Sequence, residues 1–205
     1  MTAFAYRDGK LHCESVSLES LTERYGTPLY VYSSAAIRGA YETLDRALGE
    51  TDHLICYSMK PNSNLAIARL LVSLGSGLDV FSEGELFRAL RAGAPQKKII
   101  FGGVGKSARE IDTALKEGVL FLSAESADEI DALDARARAL GTEAPLSLRV
   151  NPNVDPKTHP YISTGLRENK FGIEIERARE LYHKASRLRG LKIVGVGFHI
   201  GSQII

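Results

Sequence analysis

Along most of its length the chain alternates short apolar runs with longer stretches in which apolar residues recur every three or four positions. Runs of β-forming residues begin near Leu54, Leu78, Lys98, Val119, Leu146 and Ile193. Each of the first five leads into an amphipathic stretch: Asn64 to Leu74, Gly84 to Ala92, Ser107 to Glu117, Ser126 to Leu140 and Ile175 to Leu188. The runs read as strands and the longer period as helices, so the chain is a repeated strand-helix unit. Gly75, Gly93, Gly118, Gly141 and Gly190 follow the five helices, where a glycine C-cap is expected. That order predicts parallel strands joined by right-handed helical crossovers.

Upstream the pattern is weaker. Residues 1–33 open on a polar segment, after which Leu18, Leu21 and Tyr25 fall at helical spacing. Ser17 is the expected N-cap and Gly26 the stop; Ser20 stands where a reciprocal capping box needs Glu or Gln. Thr27-Pro28 restarts the chain in an extended piece, Leu29 to Tyr32, rich in β-formers. Ser33 or Ser34 then caps a helix to about Leu48, with Ile37, Tyr41, Leu44 and Leu48 on one stripe.

The strand spacing suits either a doubly wound sheet or a (β/α) barrel, and phosphate motifs help to separate them. Phe101-Gly102-Gly103-Val104-Gly105-Lys106-Ser107 ends like a P-loop, but Ile100 occupies the position of its first glycine. Neither Gly75-Ser76-Gly77 nor Gly195-Val196-Gly197 continues to a third glycine in dinucleotide-binding register. A barrel is the better expectation. Alternation puts Cys56, Ser58 and Lys60 on one face, Ser147 and Arg149 on one face, and Gly195, Gly197 and His199 on one face. In a barrel the ends carrying Lys60, Asp79, Arg149 and His199 converge where an active site sits. Each keeps a plainer reading: Lys60 a solvated strand end, Asp79 and Arg149 a structural ion pair, His199 a hydrogen-bonded core histidine. Six strands fall short of the eight of a full barrel, which runs to about 250 residues. The chain stops just past the sixth, so a fragment of a longer protein is expected.

Composition narrows the partners. The 205 residues are 44% hydrophobic and 25% charged, with 26 basic against 25 acidic side chains and a net charge of +1. Such a balance sets up no field toward nucleic acid or anionic lipid, and favours a small-molecule substrate. Cys13 and Cys56 belong to no metal-binding or disulfide spacing, so no metal is expected and the thiols read as reduced. Residues 1–10 carry no signal-like apolar core, and no run reaches membrane-spanning length. A cytoplasmic location is expected.

Several blocks, taken in order, resemble those of the diaminopimelate decarboxylase family. They are Tyr57-Ser58-Met59-Lys60-Pro61-Asn62, Gly77 to Leu86, Phe101 to Ser107, Arg149-Val150-Asn151-Pro152, His159 to Gly165, Lys170 to Ile173 and His199 to Ile204. The resemblance runs from about Tyr30 to the end of the chain. It implies an α/β fold, the (β/α)8 TIM-type barrel of the alanine racemase-like group, truncated over residues 34–205. Residues 1–33 would contribute to a second, β-rich domain. It implies pyridoxal 5'-phosphate as cofactor, decarboxylation of meso-diaminopimelate to L-lysine, and a homodimer in the full-length protein.

Residue by residue, Lys60 matches the catalytic lysine that carries the cofactor, His199 the histidine stacked on its ring, and Ser202 a serine near its phosphate. Asp79 and Arg149 resemble residues lining the cofactor pocket. The segment from Asn153 to Gly172 matches a loop near the active site and subunit interface, which makes Lys170 an interface or structural residue. A lysine held among small side chains inside a barrel mouth suits covalent chemistry on a carbonyl. Pro61 departs from the alanine common in the family and should stiffen the turn. The family's glycine-rich phosphate loop, pyridine-nitrogen partner and substrate arginine would follow the last residue, so this chain is not expected to catalyse by itself. A related ornithine, arginine or carboxynorspermidine decarboxylase, or a non-catalytic cofactor-binding homologue, stays open.

Overall fold

Six parallel strands separate two kinds of residue, and that separation organises the molecule. The computed structural model describes residues 3–154 and 171–201. Its strands are β4 (Cys56–Ser58), β5 (Gly77–Val80), β6 (Ile99–Phe101), β7 (Phe121–Ala124), β8 (Ala144–Asn151) and β10 (Leu191–Gly197). They lie in the order β10-β8-β7-β6-β5-β4, every pair parallel. Helices α3 (Leu65–Ser73), α4 (Glu83–Arg91), α5 (Ala108–Glu117), α6 (Ala127–Ala139) and α7 (Ile175–Ala185) make the crossovers, giving a partial (β/α) barrel. A short strand unforeseen in the sequence, β9 (Ile173–Glu174), pairs with β8.

One face of these strands is apolar and sealed. Met59, Leu78, Val80, Ile99, Phe101, Leu122, Leu146 and Leu148 are fully buried in one cluster with residues of the helices. Each such side chain contributes about 1.5–3 kcal/mol of burial. The other face carries small groups: Ser58, Gly77, Ser123, Ser147, Gly195 and Gly197. Gly77 is there for closeness, since a Cβ would stand 2.4 Å from the Lys98 carbonyl oxygen and 2.6 Å from Cys56 Sγ.

Side-chain caps start α3, α4, α5 and α6. Asn64 Oδ1 accepts the Ala66 N–H at 2.8 Å, and Ser82 and Ser126 each accept an N–H at 3.2 Å from the third residue of α4 and α6. Ser107 forms a full capping box with Glu110 on α5. The P-loop-like block is therefore a helix start. Its Lys106 turns inward, bonding the carbonyls of Gly103 and Ser123 and reaching Glu129 at 3.4 Å. At the other ends Gly75, Gly93, Gly118 and Gly141 have positive φ, as expected. Gly190 does not: α7 stops at Ala185, and Gly190 instead lies against Asp134, donating its N–H to Oδ1 at 2.8 Å.

The opening segment differs most from expectation. It forms an antiparallel sheet of β1 (Phe4–Arg7), β2 (Lys10–Cys13) and β3 (Val16–Ser17), turned by Asp8-Gly9 with both residues at positive φ. Helix α1 (Leu18–Tyr25) follows, and the Ser17 side chain makes no cap bond. Leu29 to Tyr32 join no strand. Glu14 ties the small sheet to α2 (Ser34–Leu48), accepting from Ser33 Oγ at 2.7 Å and the Ala35 N–H at 2.9 Å. That places a carboxylate at the positive end of a helix, and the Ala35 N–H, then Ser33, hold it below the ordinary range. Among the described residues no helix is long and apolar enough to cross a membrane.

Candidate active site

Lys60 leaves the end of β4 on the small-residue side of the sheet. The Met59 N–H still donates to the Asp79 carbonyl at 3.0 Å, carrying the ladder one residue past the strand. Tyr57 Oη donates to the Asn62 carbonyl at 2.8 Å and folds the Pro61 turn back on the strand. The ammonium lies 5.8 Å from the centre of the Phe81 ring, within cation–π range. Burial among small side chains was expected, but Lys60 is exposed. β4 is the edge of the described sheet, so no neighbouring strand shields it on that side.

Asp79 sits opposite Ser58 in the parallel register. Burial, then the Glu85 carboxylate, push its pKa up to about 6, against Arg149, Lys60 and a hydrogen bond from Ser58. Gly102 makes room here, since a Cβ would meet the Phe81 ring at 3.2 Å and Asp79 Oδ1 at 3.4 Å. The neighbouring thiol of Cys56 is raised to about 11, first by burial and then by Asp79. It is an inert group at neutral pH.

Arg149 does not form the ion pair with Asp79 that the sequence left open. Its Nη1 donates to both oxygens of Glu125, at 2.9 and 3.0 Å, and its guanidinium lies 5.8 Å from the Phe171 ring centre. The reason is register. Glu125 follows Ser123 on the inner side of β7, and Ser123 pairs with Ser147 two residues before Arg149. His199, just past β10, is exposed, which removes the reading of a core histidine. Desolvation, then the charges of Arg149 and Lys60, hold its imidazole below the ordinary range, with Glu125 opposing. The structure thus brings Lys60, Asp79, Arg149 and His199 to one rim. Ser202 and Lys170 lie outside the described residues.

Three rim residues went unread in the sequence. Glu125 extends the period-two set Phe121, Ser123, so the rule that marked Lys60 also marks it. Phe81 and Glu85 form a pair in which the Phe81 N–H donates to Glu85 Oε2 at 2.8 Å. The signal was Ser82 followed three residues later by Glu85, the spacing of a helix start.

Comparison with known proteins decides what this rim belongs to. The family model described as "Pyridoxal-dependent decarboxylase, pyridoxal binding domain" matches residues 34–205. The chain belongs to the pyridoxal-dependent decarboxylase family. It is 48% identical over 204 residues to the diaminopimelate decarboxylase of Pseudomonas aeruginosa, covering 100% of this chain and 49% of that one. The crystal structure of the Helicobacter pylori diaminopimelate decarboxylase complexed with L-lysine superposes with a TM-score of 0.88 at 47% identity, covering 92% of this chain and 48% of that one. Lysine decarboxylase from Selenomonas ruminantium gives 0.80 at 28% identity, over 99% and 48%. The chain spans about half the length of the curated relatives it matches.

The residues of this pyridoxal-dependent decarboxylase domain fit pyridoxal phosphate. Lys60 supplies a primary amine at the rim, and Arg149 lines it with a guanidinium already held by Glu125. The floor is small enough for a flat ring: among the described residues a Cβ added at Gly195 or Gly197 would meet only Ser147 Oγ, at 4.0 and 3.7 Å.

Proposed function

We propose that the full-length protein decarboxylates meso-diaminopimelate to L-lysine with pyridoxal 5'-phosphate. What carries the reading is an accessible lysine amine at a rim it shares with Arg149 and His199, in a chain 48% identical to a diaminopimelate decarboxylase. Lys60 holds the cofactor's aldehyde carbon and, once displaced by substrate, carries protons at Nζ. When bound, the cofactor supplies the electron sink for the pair left behind as carbon dioxide departs. His199 covers the ring, Asp79 and Arg149 line the pocket, and Ser202 serves the phosphate. The exposed Lys60 implies further walls, from the rest of the protein or a second subunit of a homodimer. Residues 1–33 belong on this reading with a β-rich domain, and residues 34–205 with the barrel. The two free thiols, Cys13 and Cys56, suit a reducing cytoplasm.

The test takes full-length protein with pyridoxal phosphate, records the absorbance of the bound cofactor, and measures carbon dioxide release from meso-diaminopimelate, ornithine and arginine. Release from meso-diaminopimelate and loss of the bound-cofactor band in Lys60→Ala are expected. A band unchanged in Lys60→Ala overturns the lysine's role. Release from ornithine or arginine alone moves the protein to a neighbouring decarboxylase.

A further inference from the structure

Glu125 stands in the candidate site without having been assigned any part in it. Its side chain is 3% exposed, and a carboxylate so enclosed persists only with a partner. That partner is Arg149, 19% exposed, whose Nη1 donates to both carboxylate oxygens. The backbone behind Glu125 is fixed as well. Its N–H donates to Glu129 Oε2 at 2.7 Å, and Glu129 Oε1 accepts the Lys106 N–H at 3.3 Å and faces Lys106 Nζ at 3.4 Å. Lys106 is itself enclosed, 2% exposed. A continuous set of contacts therefore runs from the starts of α5 and α6, through Glu125, to the guanidinium at the rim.

Resting on the cofactor reading above, we propose that Glu125 is a positioning residue that holds Arg149 at the rim and balances its charge, so that Lys60 and His199 work beside a neutral pair. A salt bridge that merely fastened β7 to β8 would influence stability alone. A positioning role also reaches the groups across the rim. Among the described residues, the charged groups acting on His199 include Arg149 near the end of β8, Lys60 past the end of β4 and Glu125 past the end of β7. Of these Glu125 alone favours the imidazolium, and neutralising it leaves two cations opposing.

The experiment uses the full-length protein as Glu125→Gln and Glu125→Asp, with His199 followed by NMR titration and pyridoxal phosphate binding by its absorbance. In Glu125→Gln, His199 should titrate at lower pH than in the wild type, and cofactor binding should weaken about tenfold, the low end of what losing a supporting partner does at metal sites. Glu125→Asp keeps the charge on a shorter arm, so the His199 titration should return toward the wild type while binding stays weakened. A folded Glu125→Gln with both readouts unchanged overturns the proposal. Should Glu125→Gln fail to fold, wild-type cofactor affinity in Glu125→Asp overturns it equally. If the wild type binds no cofactor, the cofactor reading fails by itself, and the His199 titration of the cofactor-free protein still decides the role of Glu125.

Discussion

Replacing Asp79 by asparagine removes an ionisation that the folded chain opposes. In the unfolded chain this carboxyl titrates near 3.8; in the fold, burial and then Glu85 raise it to about 6. At about 1.4 kcal/mol per pH unit, that interval amounts to about 3 kcal/mol. Between the two values the folded state binds more protons than the unfolded state, so stability falls as pH rises through the window. The favourable contribution is fully present below 3.8 and gone above about 6, and at neutral pH the folded chain carries the whole penalty. Asparagine keeps an acceptor for Ser58 and has nothing to ionise. Asp79→Asn should therefore be more stable than the wild type at pH 7 by up to about 3 kcal/mol, with the gain vanishing below about pH 4. Urea unfolding of both proteins across that range, fitted with a common slope, measures the difference. A variant less stable at neutral pH, or one whose gain is the same at pH 4 and pH 7, would refute the reasoning. A gain in stability accompanied by weaker cofactor binding would show the site residue retained against the interest of the fold.

Two structural predictions follow from local geometry. Ser107→Ala breaks the capping box with Glu110 and should cost about 1 kcal/mol. Calorimetry should register it as a fall in melting temperature of about 2–4 °C, the response of a chain this size to that loss. Gly77→Ala puts a Cβ 2.4 Å from the Lys98 carbonyl, a backbone atom that cannot rotate away. It should destabilise by about 1–3 kcal/mol or more, and a wild-type urea midpoint would contradict the packing described between β4, β5 and β6.

The barrel repeat was legible because both of its periods are strong. Fully buried Leu78, Ile99, Leu122 and Leu146 stand in the apolar runs that predicted their strands, and the cap glycines mark most helix ends. The small sheet of residues 4–17 was missed for the opposite reason. Its strands are short and largely exposed, so no alternating apolar face announces them, and the readable signal was the Asp8-Gly9 turn. At the site, Lys60, Arg149 and His199 were recoverable by alternation and Asp79 by its place near a strand end, whereas the pairing among the rim residues was not. That Arg149 meets Glu125 and not Asp79 depends on which strands neighbour each other and in what register, information that appears only when the sheet is assembled.

Helix capping and site geometry prove to be one device here. On α5 the Glu110 carboxylate returns to the N–H of Ser107, the cap residue itself, while its other oxygen accepts the N–H of Glu83 at 3.3 Å, so it ties two helix starts together. On α4 and α6 the equivalent glutamates reach one residue further back, Glu85 to the N–H of Phe81 and Glu129 to the N–H of Glu125. Those two residues are the last inward-facing positions after β5 and β7. One is the ring beside Lys60 and the other the carboxylate beneath Arg149. A carboxylate in the first turn is favoured on its own account by the exposed N–H groups and the helix dipole. Shifting its partner by one residue turns that ordinary stabilisation into a restraint on the rim. The rigid parts of the barrel thereby set the position of side chains that lie beyond the last hydrogen bond of their strands.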